Sequence, residues 1–494
     1  DLRKHRDGPL DERVLSQCDI LMVKVPTRPF TERELVAIER FARQGGGLWM
    51  IGDHTNVFGT ATDLNPLARM FGIEFEADAT YDLETTGLPT WRPPPYPVHP
   101  IVRHIDHGFL IHTSCTLQSM SGKGVMTVRA LRVAEADYSR THFFPSDRAK
   151  TTEFGFGPYP ICVASHHGAG RVVAFADSTV WSNYLCFMPG KPELALGTLS
   201  WLNRSNRLAF VPLVAALVAV LFLTVALLLN RPIWPASGEP MLAAWCAGAF
   251  IAGLACVQVN QAAYPTLQHE EKAADVCFEG QYSDIFLPID SYRDRTGRAD
   301  RDSRTFYVWT QRLGLVPAYE QRLRWALKRA NAVVLINPST APSADDGAAL
   351  ARFVRDGGRL LVVVGRSNRP LDRESASKAN AILAPFNLRV EGRPPVHEAE
   401  VRFGEGERCP AFVSATVHGG QPLASLADGH VVAARQQVGE GAVVACAVGG
   451  LLTTRALGMP TDQLIADQRA NARFAFMLMR SLKSADAEEA HHAR

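Results

Sequence analysis

None of the nine cysteines, at 18, 115, 162, 186, 246, 256, 277, 409 and 446, forms a C-x-x-C pair, and they are spread along the whole chain. Neither a zinc ribbon nor a disulfide framework can be read from that spacing. An excess of one charge sign is also lacking: 52 Lys and Arg stand against 50 Asp and Glu, a formal net charge of +2, which argues against a nucleic-acid surface as a partner. The run SGKG at 121–124 lacks the upstream glycine of a phosphate-binding loop and reads as a hairpin. No secretory leader is visible at Asp1. The sequence names no cofactor.

What is present is unevenly distributed. Residues 208–229, LAFVPLVAALVAVLFLTVALLL, carry no charge and no polar stripe, and 241–259 form a second apolar stretch richer in Ala, Gly and Cys. Such lengths match a hydrocarbon core of about 30 Å, and small residues suit close helix packing. The expectation is a transmembrane hairpin within 205–263, turned by the proline-rich 230–240. The protein would then be a multi-pass cell-membrane protein with both soluble domains on the same side. The excess of flanking Lys and Arg leans toward cytoplasmic domains by a few charges only.

The sequence repeats itself across this segment. Residues 18–56 and 330–368 align without a gap at an offset of 312. Pro26 falls on Pro338, Phe41 on Phe353, and Gly45-Gly46 on Gly357-Gly358. Each copy reads as a buried strand, a Pro-containing loop, an amphipathic helix ended by a glycine pair, and a second buried strand. A later match pairs 168–183 with 439–454, a strand entered from a glycine turn, and a helix follows in both copies (193–202 and 468–482). Strand, helix and strand with short connections imply a βαβ crossover and an at least partly parallel sheet. The intervals 57–167 and 369–438 read as shorter strands and long loops at the sheet edge. The second copy also has an opening strand near 277–292 and a helix over 318–330, against which the first has only residues 1–17. The chain is therefore expected to be a fragment lacking an upstream strand, with a further membrane helix a possible part of the missing segment. The expected domains are 1–204, the hairpin, 276–484, and a solvated tail at 485–494.

The stretches PFTERELVAIERFARQGGGLWMIGD and GRVVAFADSTVWSN, present in two copies, resemble the class I glutamine-amidotransferase-like α/β fold. More narrowly the chain is similar to the membrane-attached bacterial branch that includes the auxiliary component of gliding-motility ABC transporters. The resemblance implies an α/β fold class: two repeated flavodoxin-like, amidotransferase-like parallel-sheet domains flanking a transmembrane helical hairpin. It also implies transporter or other membrane-protein partners. Family enzymes place a nucleophilic Cys in a tight turn after the strand matching 48–51, and a His after a later strand. This chain has Gly52-Asp53-His54-Thr55-Asn56 and Asp177-Ser178 there, and Gly365 and Val448 at the corresponding points of the second copy. The family's Cys–His glutaminase route is therefore excluded.

Ligands of open parallel sheets bind beyond the carboxyl ends of the strands. That rule singles out Asp53, His54, Thr55, Asn56, Asp177 and Ser178 as a candidate ligand site, with the metal question open. Asp53, His54 and Asp177 are the candidates for catalysis. Two carboxylates and an imidazole could hold a cation, bind sugar hydroxyls or activate water. The plainer reading is that Asp53 caps a helix and Asp177 opens a turn. The histidines at 99, 104, 107 and 112 are spaced so that no more than two share a face, and His112 with Cys115 could reach the crevice. The expected function is a membrane-anchored, non-catalytic ligand-binding or assembly protein serving a transporter or cell-envelope machine. A membrane-bound hydrolase using Asp53, His54 and Asp177 is the alternative.

Overall fold

The computed structural model describes residues 3–5, 8–82, 89–95, 99–105, 108–134, 153–183, 185–204, 224, 248, 250, 272–287, 300–459 and 463–482. It divides into two units, the first comprising 1–180 and 190–267, the second 181–189 and 268–494. Residues 181–189 thus belong to the second unit, where Leu185 and Met188 are buried in its core.

In the first unit, β1 (Ile20–Lys24) leads to α1 (Glu32–Arg43) and β2 (Gly47–Ile51). Helix α1 starts where the sequence dictates: the Thr31 hydroxyl accepts from the Glu34 amide, and the Glu34 carboxylate accepts from the Thr31 amide at 2.9 Å. Arg28, bonded to Glu34 at 2.9 Å, and after it that reciprocal cap hold the carboxyl down at about 2 against the effect of burial. After α2 (Thr60–Arg69) come β3 (Asp78–Asp82), β4 (Lys123–Ala134), β5 (Glu153–His167), β6 (Gly170–Phe175) and α3 (Lys191–Leu202). The sheet order is β1-β2-β6-β5-β4-β3. Only β1, β2 and β6 run parallel; the rest is antiparallel.

The second unit opens with β7 (Ala274–Glu279), β8 (Pro317–Glu320), β9 (Ala330–Ile336), α4 (Ala344–Arg355) and β10 (Arg359–Val363). Then follow α5 (Arg373–Leu383), β11 (Arg389–Phe403), β12 (Glu407–His418), β13 (Gln421–Leu426), β14 (Val431–Val438), β15 (Gly441–Cys446) and α6 (Ala466–Arg480). Its nine strands run β8-β7-β9-β10-β15-β14-β13-β11-β12, the first five parallel and the others antiparallel. The central strands alternate between two cores, as a sheet covered on both faces requires. Val333, Leu335, Leu360 and Val362 lie in one, and Val334, Ile336, Leu361 and Val363 in the other.

The repeat is visible in strand register. Ile20 pairs with Gly47 as Ala332 pairs with Arg359, and Arg171 pairs with Gly47 as Ala442 pairs with Arg359. The same glycines serve the same packing in both units. A Cβ on Gly46 would lie 2.3 Å from the Phe41 ring, and one on Gly358 2.5 Å from Phe353. A Cβ on Gly170 would meet the Ala42 carbonyl at 2.0 Å, and one on Gly441 the Val354 carbonyl at 2.1 Å.

Three expectations need correction. The sheets are mixed rather than parallel: the intervals taken for short strands and loops contain β4, β5, β11 and β12, each of 12 or 15 residues. Proline, glycine and charge hid them, because strands with one solvated face tolerate all three; Pro158 and Pro160 both lie within β5 pairing. The helix expected over 318–330 is strand β8 followed by a helix over Leu323–Arg329. Third, the architecture of domains flanking a transmembrane hairpin, with the multi-pass membrane location drawn from it, is overturned. No helix among the described residues is long and apolar enough to cross a membrane. Hydropathy fixes only a transfer free energy, whereas a span also needs a continuous helix. The segments that carried the expectation, 208–229 and 241–259, lie outside the described residues except at 224, 248 and 250, and the tail at 485–494 lies outside them altogether.

The glycine packing yields a direct test. Gly170→Ala and Gly441→Ala should each cost about 3 kcal/mol in urea unfolding, since the added carbon meets backbone that cannot yield. Gly347→Ala, inside α4 with its nearest neighbour at 4.0 Å, should instead stabilise by about 0.5–1 kcal/mol. Comparable small effects at all three positions would refute the close-approach argument.

Candidate functional site

Strands β2 and β6 are parallel neighbours ending in register, Ile51 opposite Phe175, so the residues that follow them emerge side by side. The Gly52 amide donates to the Phe175 carbonyl at 3.0 Å, extending the pairing by one step. Asp53 then opens an irregular turn over 54–59 and accepts from the His54 amide at 2.8 Å. Its other carboxylate oxygen accepts from the Ser178 hydroxyl. His54 Nε2 lies 3.8 Å from Asp53, while Nδ1 is hydrogen-bonded to the Thr55 hydroxyl at 2.7 Å.

Asp177 is wholly buried and is bound by three loop amides: His112 at 2.6 Å, Thr179 at 2.9 Å and Val180 at 3.3 Å. Burial, and then the neighbouring Asp53 charge, push its carboxyl up to about 7 against the pull of those donors. Asp53 is raised for the same first reason, burial, offset by His54 and Ser178. The two carboxylates therefore share one electrostatic environment.

Around the pair lie groups that the sequence reading mentioned in passing or missed. Lys191, at the start of α3, is 3% exposed; it donates to the Leu110 carbonyl at 2.7 Å and sits 3.6 Å from the Phe109 ring centroid. Burial lowers its ammonium to about 7, with Asp177 opposing the shift. His112 is lowered to about 4 by burial, and the buried Cys115 thiol is raised well above its ordinary value by burial and by Asp78, Asp53 and Asp177. Nothing in the spacing of the sequence ties Lys191 to Asp177.

Thr55 and Asn56, expected to face the crevice, are buried and serve their own loop. The Asn56 carbonyl oxygen accepts from the Thr62 amide at 3.0 Å, and its Nδ2 donates to the Thr62 hydroxyl at 2.8 Å. Both adopt left-handed backbone, with φ of 48° and 50°, which costs a non-glycine residue about 1–3 kcal/mol. The histidine run disperses: His99 packs against Trp201, with burial lowering it to about 4, and His107 lies outside the described residues. Among the described residues no group of three His, Cys, Asp or Glu side chains is placed to hold a metal ion. In the second unit Gly365 replaces Asp53 at φ +99°, where a Cβ would lie 2.8 Å from the Ala447 carbonyl.

No family model and no curated protein matches this chain. Solved structures give partial overlaps. An exo-β-1,4-mannosidase from Opitutaceae bacterium strain TAV5 is 13% identical over 43% of this chain and 37% of its own, with a TM-score of 0.29. A β-galactosidase from Halorubrum lacusprofundi is 16% identical over 44% and 32%, at 0.28. A cytoplasmic protein from Salmonella typhimurium is 16% identical over 40% and 77%, at 0.28. The chain spans little more than a third of the mannosidase's length. Overlaps this slight carry no inference about fold or function.

Asp177 is open to titration. Its folded pKa of about 7 exceeds its ordinary 3.8, so its contribution to stability is full below pH 3.8 and is lost as pH rises through 7. His112 and His99, lowered from 6.5 to about 4, act in the opposite sense over that window, so the comparison must be with a variant. Asp177→Asn removes an acceptor from buried amides and should cost about 1–3 kcal/mol at pH 5. That deficit should shrink by pH 8; equal deficits at both values would rule out titration of Asp177 in this range.

Proposed function

We propose that the chain is a non-catalytic ligand-binding or assembly protein serving a transporter or cell-envelope machine. Its ligand meets the first unit at Asp53, His54 and Ser178, with Thr55, Asn56 and Asp177 shaping the loops beneath. The partner class rests on the family resemblance alone. The observation that carries the ligand site is the pair of buried carboxylates, Asp53 and Asp177, that follows the level carboxyl ends of β2 and β6. Burying such a pair costs several kcal/mol, and a fold that needed only turns would meet the need with amides. Asp177 is wholly buried and bound by three backbone donors, whereas Asp53, though also buried and bonded to the His54 amide and the Ser178 hydroxyl, lies beside the partly exposed His54 and can meet a ligand with it. Both can accept, so the fitting ligand carries donors: an amine or a set of hydroxyls.

One observation favours hydrolysis as a second reading. The Ser178 hydroxyl donates to a carboxylate whose pKa is raised, which is the arrangement of a nucleophile beside a base. Against it, the amides near Asp177 are already bonded to its carboxylate and are not offered to an oxyanion.

A panel of primary amines and polyols, titrated into the full chain by calorimetry, separates the two. Saturable binding weakened about tenfold by Asp53→Asn and His54→Ala, without turnover of p-nitrophenyl esters or glycosides, is the expected result. Turnover abolished by Ser178→Ala would establish the hydrolase instead. Binding unchanged in both variants would remove the site.

A further inference from the structure

The second unit carries a cavity of about 250 Å³ that the repeat comparison alone would not suggest, because the carboxylates of the first copy are absent there. Strand order explains its position. The chain leaves β7 to place β8 on one side and returns to place β9 on the other, so β7 and β9 flank a topological switch point. The loops beyond the carboxyl ends of parallel strands diverge at such a point and leave a crevice. Asp284 after β7, Asn337 and Ser339 after β9, and Arg366 and Arg369 after β10 line this one, with Lys378 from α5.

The charges of the lining are not equally available. Asp284 is paired with Arg366 and with Arg301 at 3.0 Å, so its charge is already neutralised. Arg366 is held from two sides, by Asp284 and by Asp300 at 2.9 Å, with its side chain only 15% exposed. Those bonds use two of the five guanidinium N–H donors and fix the plane of the group. Arg369 is exposed and forms no ion pair among the described residues. Lys378 meets only Glu374, whose side chain is 80% exposed and solvated, a weak pairing. Of the two acids in the lining, Asp284 is neutralised by arginines and Asp372 caps α5, accepting from the Ser375 amide at 2.7 Å, while a fixed guanidinium and two loosely held cations remain.

We infer that this cavity binds a small hydroxylated metabolite through a carboxylate or phosphate group, the oxyanion meeting Arg366, Arg369 and Lys378. Asn337 and Ser339 supply polar contacts for the hydroxyls. The volume falls below the roughly 300–1,000 Å³ of drug-sized pockets, which restricts the ligand to about the size of one sugar. The position matches the first unit's site, since Arg366 aligns with His54. The site does not depend on that one, because every lining residue belongs to the second unit.

Calorimetric titration of the full chain with glucose 6-phosphate, gluconate and glucose tests this. Saturable binding of either anion, with none of glucose, is expected. Arg369→Ala and Lys378→Ala should each weaken it about tenfold without altering the melting temperature of the free protein. Asp53→Asn should leave it unchanged, which separates this site from the one in the first unit. The inference is overturned if neither anion binds, if glucose binds as well as the anions, or if the Arg369→Ala and Lys378→Ala double variant binds as tightly as the parent.

Discussion

Parallel pairing of Gly47–Ile51 with Arg171–Phe175 is the constraint from which the first unit's chemistry follows. It exists only because Gly170 lets the strand start against the carbonyls of Ala42 and Gly46, where any side chain would collide. Once the two strands end level, Asp53 and Asp177 have to share a small volume. Burial and then their mutual repulsion push the Asp177 carboxyl up, and donors from Ser178 and three loop amides relieve that repulsion. The loop at 112 and the turn at 179–180 are fixed by that relief, and Lys191 is drawn in beside them. One packing decision at a glycine thus propagates to an electrostatic arrangement several residues away.

The two copies keep the same backbone logic and spend it differently. Thr31 with Glu34 becomes Ser343 with Asp346, and Phe41 over Gly46 becomes Phe353 over Gly358. Past the end of the second strand, however, Thr55, Asn56 and Phe58 are left-handed in the first unit, whereas in the second it is Gly365, which stands where the extended Asp53 does. The glycine removes the carboxylate, and Ser367 and Asn368, which stand where Thr55 and Asn56 do, do not share their left-handed backbone. Retained strain is a mark of a constrained site, so the first copy holds the more tightly specified loop.

How much of this was legible follows from what each signal measures. The strands Gly47–Ile51, Ala330–Ile336 and Arg359–Val363 were plain, because strands buried on both faces are continuous apolar runs, and Ile20–Lys24 was plain from its apolar run although, at the sheet edge, only Val23 of it is buried. The antiparallel halves were not: β11 is largely exposed along its length, and such a strand resembles a loop in composition. The proximity of Asp53 and Asp177 could be inferred from strand ends, but the burial of Thr55 and Asn56 could not, since it depends on a left-handed backbone that non-glycine residues rarely announce. The cavity of the second unit was missed for a related reason. It depends on the position of β8 relative to β7, and the sequence reading took residues 318–330 for one helix.

The second copy lacks the first copy's carboxylates, with Gly365 and Val448 in their places. The order β8-β7-β9-β10 gives the second unit a switch point flanked by strands whose following loops supply Asp284 and Asn337. A binding site at such a point is made by divergence of loops, not by any one residue after β10. Replacing Asp53 and His54 by Gly365 and Arg366 therefore changes the sign of the charge offered beyond the sheet without removing the crevice. A duplicated sheet preserves where a ligand can sit, while the residues just past its strand ends decide which charge that ligand must carry.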